Sequence, residues 1–172
     1  MTAHRLITIA LLLGLATAAY AQDLSPLDAW SGSWRGTLVN MPEAPSAPHV
    51  VVTMTFGPAT PTNGRCIPWH TTHTEGGVTK QVKDYKICRG ESAGAWYIDE
   101  GPGTHLTGRW LGTAFVSSFK ADTFLVVATM RLTGDVLTEE IVTVDDKPAI
   151  SGIQPLVPRS IQRIEMRRTN EQ

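Results

Sequence analysis

His70 and His73, in the run His70-Thr71-Thr72-His73, are the first side chains here whose types could do chemistry. On a strand, residues three apart point to opposite faces, so the two imidazoles cannot share an ion without a bulge. His73 and Glu75 do share a face, but they lie beside a turn and lack a third ligand, and a zinc site needs three or four. No metal and no cofactor is expected. The carboxylate pair Asp99-Glu100, with His105 and His73, is the strongest acid–base candidate and carries the alternative of an isomerase or hydrolase at a barrel mouth. Acids beside Gly101-Pro102-Gly103 also serve simply to solvate a turn. Glu139-Glu140 and Asp145-Asp146 are adjacent pairs whose members face opposite ways on a strand. The chain has no Gly-x-Ser-x-Gly elbow and no glycine-rich phosphate loop. These features lean against an enzyme and leave no residue assigned as catalytic.

The two cysteines, Cys66 and Cys88, lie too far apart for a Cys-x-x-Cys redox or zinc element. A hairpin reading relates them instead. A three-residue loop at Gly76-Gly77-Val78 would pair Glu75 with Thr79, and that register carried down the strands sets Cys66 opposite Cys88, within disulfide reach. A two-residue loop would leave them one residue out of register. The same register puts Trp69 opposite Tyr85 and Ile67 opposite Ile87 on one apolar face. Cys66, His70, Lys80, Asp84 and Lys86 fall on the other. The apolar face should point inward and the disulfide outward, as a structural staple.

The elements around this hairpin are strands. Runs rich in β-branched and aromatic residues recur every 8–12 residues between turn signals, the spacing of an all-β sandwich or barrel. Strands are expected at 33–40, 49–56, 65–74, 79–88, 95–99, 105–111, 113–119, 124–132, 136–144 and 160–168. About ten antiparallel strands tend to close on themselves, which removes the edges. Turns are expected at Gly57-Pro58, Asn63-Gly64, Gly76-Gly77, Gly101-Pro102-Gly103 and Gly134-Asp135. Two proline-rich stretches, 40–48 and 145–158, read as long loops of the kind that form lids or spacers. One short helix is expected at 25–30, capped by Ser25 with Pro26 at its first position. The fold class is thus all-β, a single antiparallel up-and-down barrel with a short N-terminal helix.

The first 21 residues read as a cleaved signal peptide: Arg5, an apolar run from Leu6, then small residues ending Ala19-Tyr20-Ala21. The run is shorter than the roughly 20 residues of a membrane span. The domain is therefore 22–172, exported to a periplasmic or extracellular compartment where a disulfide persists. Arg5 is the leader's single member of the 15 Lys and Arg, which leaves 14 basic against 16 acidic residues. Without a basic patch nucleic acid is not an expected partner. No second apolar stretch is long enough to span a membrane, and oligomeric state is not readable.

Among five tryptophans, Trp69, Trp96 and Trp110 sit in expected strands with apolar residues two away. Inward aromatics either fill a core or line a pocket, and ten strands enclose more room than eight. Trp69, Tyr85, Trp96 and Trp110 are the pocket candidates.

Gly32-Ser33-Trp34-Arg35-Gly36, after the short helix, resembles the Gly-x-Trp opening of calycins, the superfamily of lipocalins and fatty-acid-binding proteins. Leu27–Gly36 is similar to the opening of small bacterial secreted calycin-like proteins and, less closely, of nitrobindin-like barrels. The stretches 131–137 and 161–168 resemble their penultimate turn and arginine-ended last strand. The resemblance implies that Trp34 packs at the closed end against Arg168, or Arg167 if the register slips. Nitrobindin-like barrels ligate haem through a C-terminal histidine. No histidine follows His105, so a haem or metal carrier is the weaker alternative. The function this implies is non-catalytic binding of a small apolar or amphipathic molecule.

Overall fold

A computed structural model describes residues 25–58, 66–148 and 150–169. The leader and the Asn63-Gly64 turn lie outside the described residues. One helical turn, α1 (Ser25–Asp28), precedes ten strands. They are β1 (Gly32–Met41), β2 (Val50–Phe56), β3 (Cys66–Glu75), β4 (Val78–Arg89), β5 (Trp96–Asp99), β6 (His105–Leu111), β7 (Ala114–Ala121), β8 (Phe124–Thr133), β9 (Val136–Asp145) and β10 (Pro158–Arg168). Each pairs antiparallel with its neighbours in sequence, and β1 pairs with β10, so the sheet closes into a barrel with no free edge.

The opening glycine-tryptophan motif makes this closure possible. Gly36 is paired with Met166, and a side chain there would meet the Glu165 carbonyl oxygen at 2.2 Å. Only glycine lets β1 approach β10 this closely. Trp34 is fully buried, and its Nε1 donates to the Trp30 carbonyl at 2.7 Å. The Arg168 guanidinium covers the Trp34 ring, 4.3 Å from its centroid, and donates to the carbonyls of Ala29 and Ser31. Arg168 thus ties the N-terminal segment to the last strand.

Below the barrel wall, Trp30 enters the closed end from the segment after α1. It stands 5.6 Å from Phe56 and 5.2 Å from Trp110. Trp110 in turn contacts Phe115 at 5.3 Å and Trp96 at 6.4 Å. Each such pair contributes about 0.5–1.5 kcal/mol beyond its buried area. Gly108 makes room for this cluster, because a Cβ there would sit 2.3 Å from the Phe115 ring. This end is a solid plug.

The β3–β4 hairpin corrects one expectation. Its loop is the two-residue Gly76-Gly77, with φ of +55° and +80°, and not the three-residue loop inferred above. Successive left-handed residues suit a tight hairpin turn, and glycine occupies them without strain. Near the turn Glu75 pairs with Val78 and Thr74 with Thr79, one residue out of the Cys66–Cys88 register. A bulge between His73/Gln81 and Thr74/Thr79 leaves Lys80 unpaired and restores it. Cys66 and Cys88 then pair and form the disulfide, with Trp69 opposite Tyr85. The disulfide fits an oxidising compartment.

Candidate functional site

Alternation along the strands selects what faces the barrel axis. Above the plug the inward residues no longer fill the space. They enclose a cavity of about 260 Å³, just under the ~300 Å³ at which small-molecule sites begin. The alternating direction of the antiparallel strands puts both long proline-rich connections, after β1 and after β9, at this end of the barrel, opposite the Trp34–Arg168 closure.

One side of the cavity is apolar, formed by Leu38, Ile98, Leu106, Phe119, Val126 and Ile141. The other is polar and belongs chiefly to the β3–β4 hairpin. Trp69, Thr71 and His73 occupy consecutive inward positions of β3, and Gln81, Lys83 and Tyr85 those of β4. Thr71 and Lys83 are direct cross-strand partners. The buried Trp69 Nε1, Thr71 Oγ1 and His73 Nδ1 have no hydrogen-bond partner among the described residues. Glu100 beyond β5, Ser117 on β7, Glu139 on β9 and Gln162 on β10 complete the polar lining.

Glu139 is the electrostatic centre. It is only 8% exposed, and no cation among the described residues comes within ion-pairing distance. Burial pushes its carboxyl up to about 7, against a smaller opposing pull from the Lys83 charge. Tyr85 is pushed up to about 12, first by burial, then by the charge of Glu100 and a hydrogen bond to it, with Glu139 adding less. Its phenol therefore stays protonated. Burial, and then Lys83, hold His73 below the ordinary imidazole value, so that it is neutral at pH 7. Lys83 also lies 5.9 Å over the Tyr85 ring.

The residues singled out in the sequence divide between three places. Trp69 and Tyr85 line the cavity, 5.5 Å apart, with Trp69 stacked at 5.7 Å on Phe56 of the plug. Trp96 and Trp110 lie in the plug instead, because the short strands β5 and β6 deliver them to the closed end beside Trp30 and Phe115. Asp99 and His105 face outward. His105 Nε2 stands 3.8 Å from the Asp99 carboxylate and Lys86 Nζ 3.6 Å from it, and the Gly101 amide, donating at 3.0 Å, is the main cause of a depressed Asp99 carboxyl. Glu100, just beyond the end of β5, lines the cavity with His73, so the Asp99-Glu100 pair is split between outside and inside. His70 is outside, bonded to Asp84. Sequence reasoning weighed the Glu139-Glu140 pair without assigning its inward member, and missed Lys83, Thr71 and Gln81. Extending the inward face of the hairpin by alternation from Trp69 and Tyr85 would have found the last three.

Among the described residues, no group of three or more His, Cys, Asp or Glu side chains is arranged to hold a metal ion. No protein-family model matches the chain, and no curated protein matches it.

Proposed function

We propose that this protein is an exported, non-catalytic barrel that binds one small amphipathic molecule in its interior. The carrying observation is the enclosed cavity that sets an apolar wall against buried polar atoms without partners. An unsatisfied buried polar group costs about 1–3 kcal/mol, which a complementary ligand would recover. The plug supports the same reading: it closes one end solidly, so the cavity is a chamber with one mouth and not a channel. The calycin resemblance of the opening motif, with Trp34 under Arg168, agrees with a binding barrel, and the disulfide agrees with export.

Two measurements test this. Native mass spectrometry of protein purified without detergent should show a retained small molecule. A thermal-shift screen of small amphiphiles should raise Tm, since a ligand at a hundred times its Kd adds about 2.7 kcal/mol. A chain that carries nothing and responds to no compound would sink the reading.

A further inference from the structure

The polarity of the cavity lining says more about the occupant, granted that the chamber binds one. Three hydrogen-bonding groups converge on the inner face of the β3–β4 hairpin. Trp69 Nε1 can only donate, Thr71 Oγ1 can donate, and Lys83 carries a positive charge directly across from Thr71. The first two are unpartnered in residues that are 6% and 2% exposed. Lys83 makes no ion pair among the described residues. Such a patch calls for an acceptor, and for a negatively charged one. The opposite wall, with Leu106, Phe119, Val126 and Ile141, calls for a hydrocarbon tail, and the cavity volume keeps that tail short.

Glu139 decides how such an anion is held. It faces the same chamber from β9. The other titratable groups lining the chamber are His73, Lys83, Tyr85 and Glu100. The cavity-lining residues on its neighbours β8 and β10 are Val126, Ala128, Gln162 and Ile164, none of which titrates. Tyr85 is engaged with Glu100, and His73 is neutral. One lysine therefore serves both Glu139 and any incoming anion. A second negative charge beside an ionised Glu139 in this low-dielectric space would be strongly disfavoured.

We propose that the chamber binds a short-chain monocarboxylate together with one proton: the ligand carboxylate accepts from Thr71, Lys83 and Trp69, and Glu139 takes up the proton. Capture is then coupled to protonation of the barrel interior. An acidic medium loads the site and an alkaline one empties it.

The test uses the full mature chain with three matched probes, hexanoate, hexanol and hexylamine, titrated by calorimetry from pH 6 to pH 9. Hexanoate should bind in preference to both others. Its affinity should fall about tenfold per pH unit once Glu139 is ionised in the free protein. Repeating the titration in buffers of different ionisation enthalpy should show about half a proton taken up per hexanoate near pH 7, rising toward one at pH 8. Lys83→Met should cost hexanoate at least tenfold and leave hexanol unchanged. Glu139→Gln should retain hexanoate binding and lose its pH dependence. If that variant does not fold, proton uptake by the unaltered protein still decides. Preference for hexylamine or hexanol, or hexanoate binding with no proton uptake, overturns this proposal and leaves the binding chamber standing. Failure of all three probes counts against both.

Discussion

Cys66 and Cys88 are Cα partners across β3 and β4 even though the turn joining the strands is one residue too short for that register. The extra residue, Lys80, sits in a bulge and returns the strands to step. The turn takes the tight form that two glycines allow, while the disulfide and the inward pair Trp69–Tyr85 hold the register further down. Reducing the disulfide frees a loop of 22 residues, which by chain entropy is worth about 3 kcal/mol. Cys66→Ala with Cys88→Ala should therefore lower Tm by roughly 6–12 °C in a domain of this size. Because neither cysteine lines the cavity, ligand affinity at low temperature should be unchanged. A large loss of affinity without a loss of Tm would show that they do more than staple.

Removing Lys80, the unpaired residue, tests the same relationship from the other side. Without Lys80, the pairs Thr74/Thr79 and His73/Gln81 run on in one register, so the two-residue turn and the Cys66–Cys88 pairing are both kept and no strand need slip. The inward set, with Trp69 and Tyr85, stays inward. The deletion should therefore change stability by less than about 1 kcal/mol in urea unfolding, with the disulfide intact or reduced. A clearly larger loss would show that the local twist of the bulge itself supports the barrel.

Sequence patterning revealed the barrel almost entirely, because strands with one face on a core alternate and turns carry glycine. β6 has the expected bounds, and the others begin or end within about two residues of theirs. The chamber was less legible. β9 reads Val136-Leu137-Thr138-Glu139-Glu140-Ile141, and a pair of adjacent glutamates leaves the inward member unspecified until Leu137 and Ile141 fix the parity. Trp96 and Trp110 show the converse limit. Alternation says that a tryptophan faces inward but not how far along the axis it lies, and depth is what separates plug from pocket. Trp30 was invisible for another reason: it is on no strand, and only the closed barrel shows that it fills the end.

Arg168 joins three partners, two carbonyls and one aromatic ring, that all lie in the stretch from Ala29 to Trp34, at the far end of the chain from it. Its guanidinium fork bonds Ala29 and Ser31 while lying over Trp34. Arg168→Ala should cost about 2 kcal/mol, combining a partly exposed cation–π contact with charge-assisted hydrogen bonds. Arg168→Lys should recover less than half, since an ammonium cannot bridge both carbonyls in one plane. Chemical denaturation of the two variants measures this, and full rescue by lysine would reduce the role to charge alone.

Gly36 and Gly108 both face inward without a side chain, but for different reasons. At Gly36 the obstacle is backbone, the Glu165 carbonyl at 2.2 Å; at Gly108 it is the Phe115 ring at 2.3 Å. A ring can shift and a paired strand cannot. Gly108→Ala should cost about 1–3 kcal/mol as ordinary overpacking. Gly36→Ala should cost more, because it opens the β1–β10 seam that closes the barrel. The order of the two urea midpoints is the readout, and the reverse order would refute the close-approach argument.

Glu139 should make the empty protein lose stability as pH rises. Its folded value of about 7 lies above the unfolded value near 4.5, so between them the folded state binds more protons. Stability is therefore full below about pH 4.5, falls through the window, and is lost above pH 7, by about 3 kcal/mol in total. His73 acts oppositely, because its folded value is lowered and the unfolded chain binds more protons just below pH 6.5. Asp99, also lowered, acts near and below pH 4. The raw stability curve mixes these effects, so the decisive quantity is the difference between Glu139→Gln and the unaltered protein. That difference should grow in favour of the variant by about 3 kcal/mol from pH 4.5 to pH 8 in urea unfolding, whatever constant cost the amide imposes. Parallel curves would mean that Glu139 is ionised at its ordinary value and that the chamber is wetter than its lining indicates.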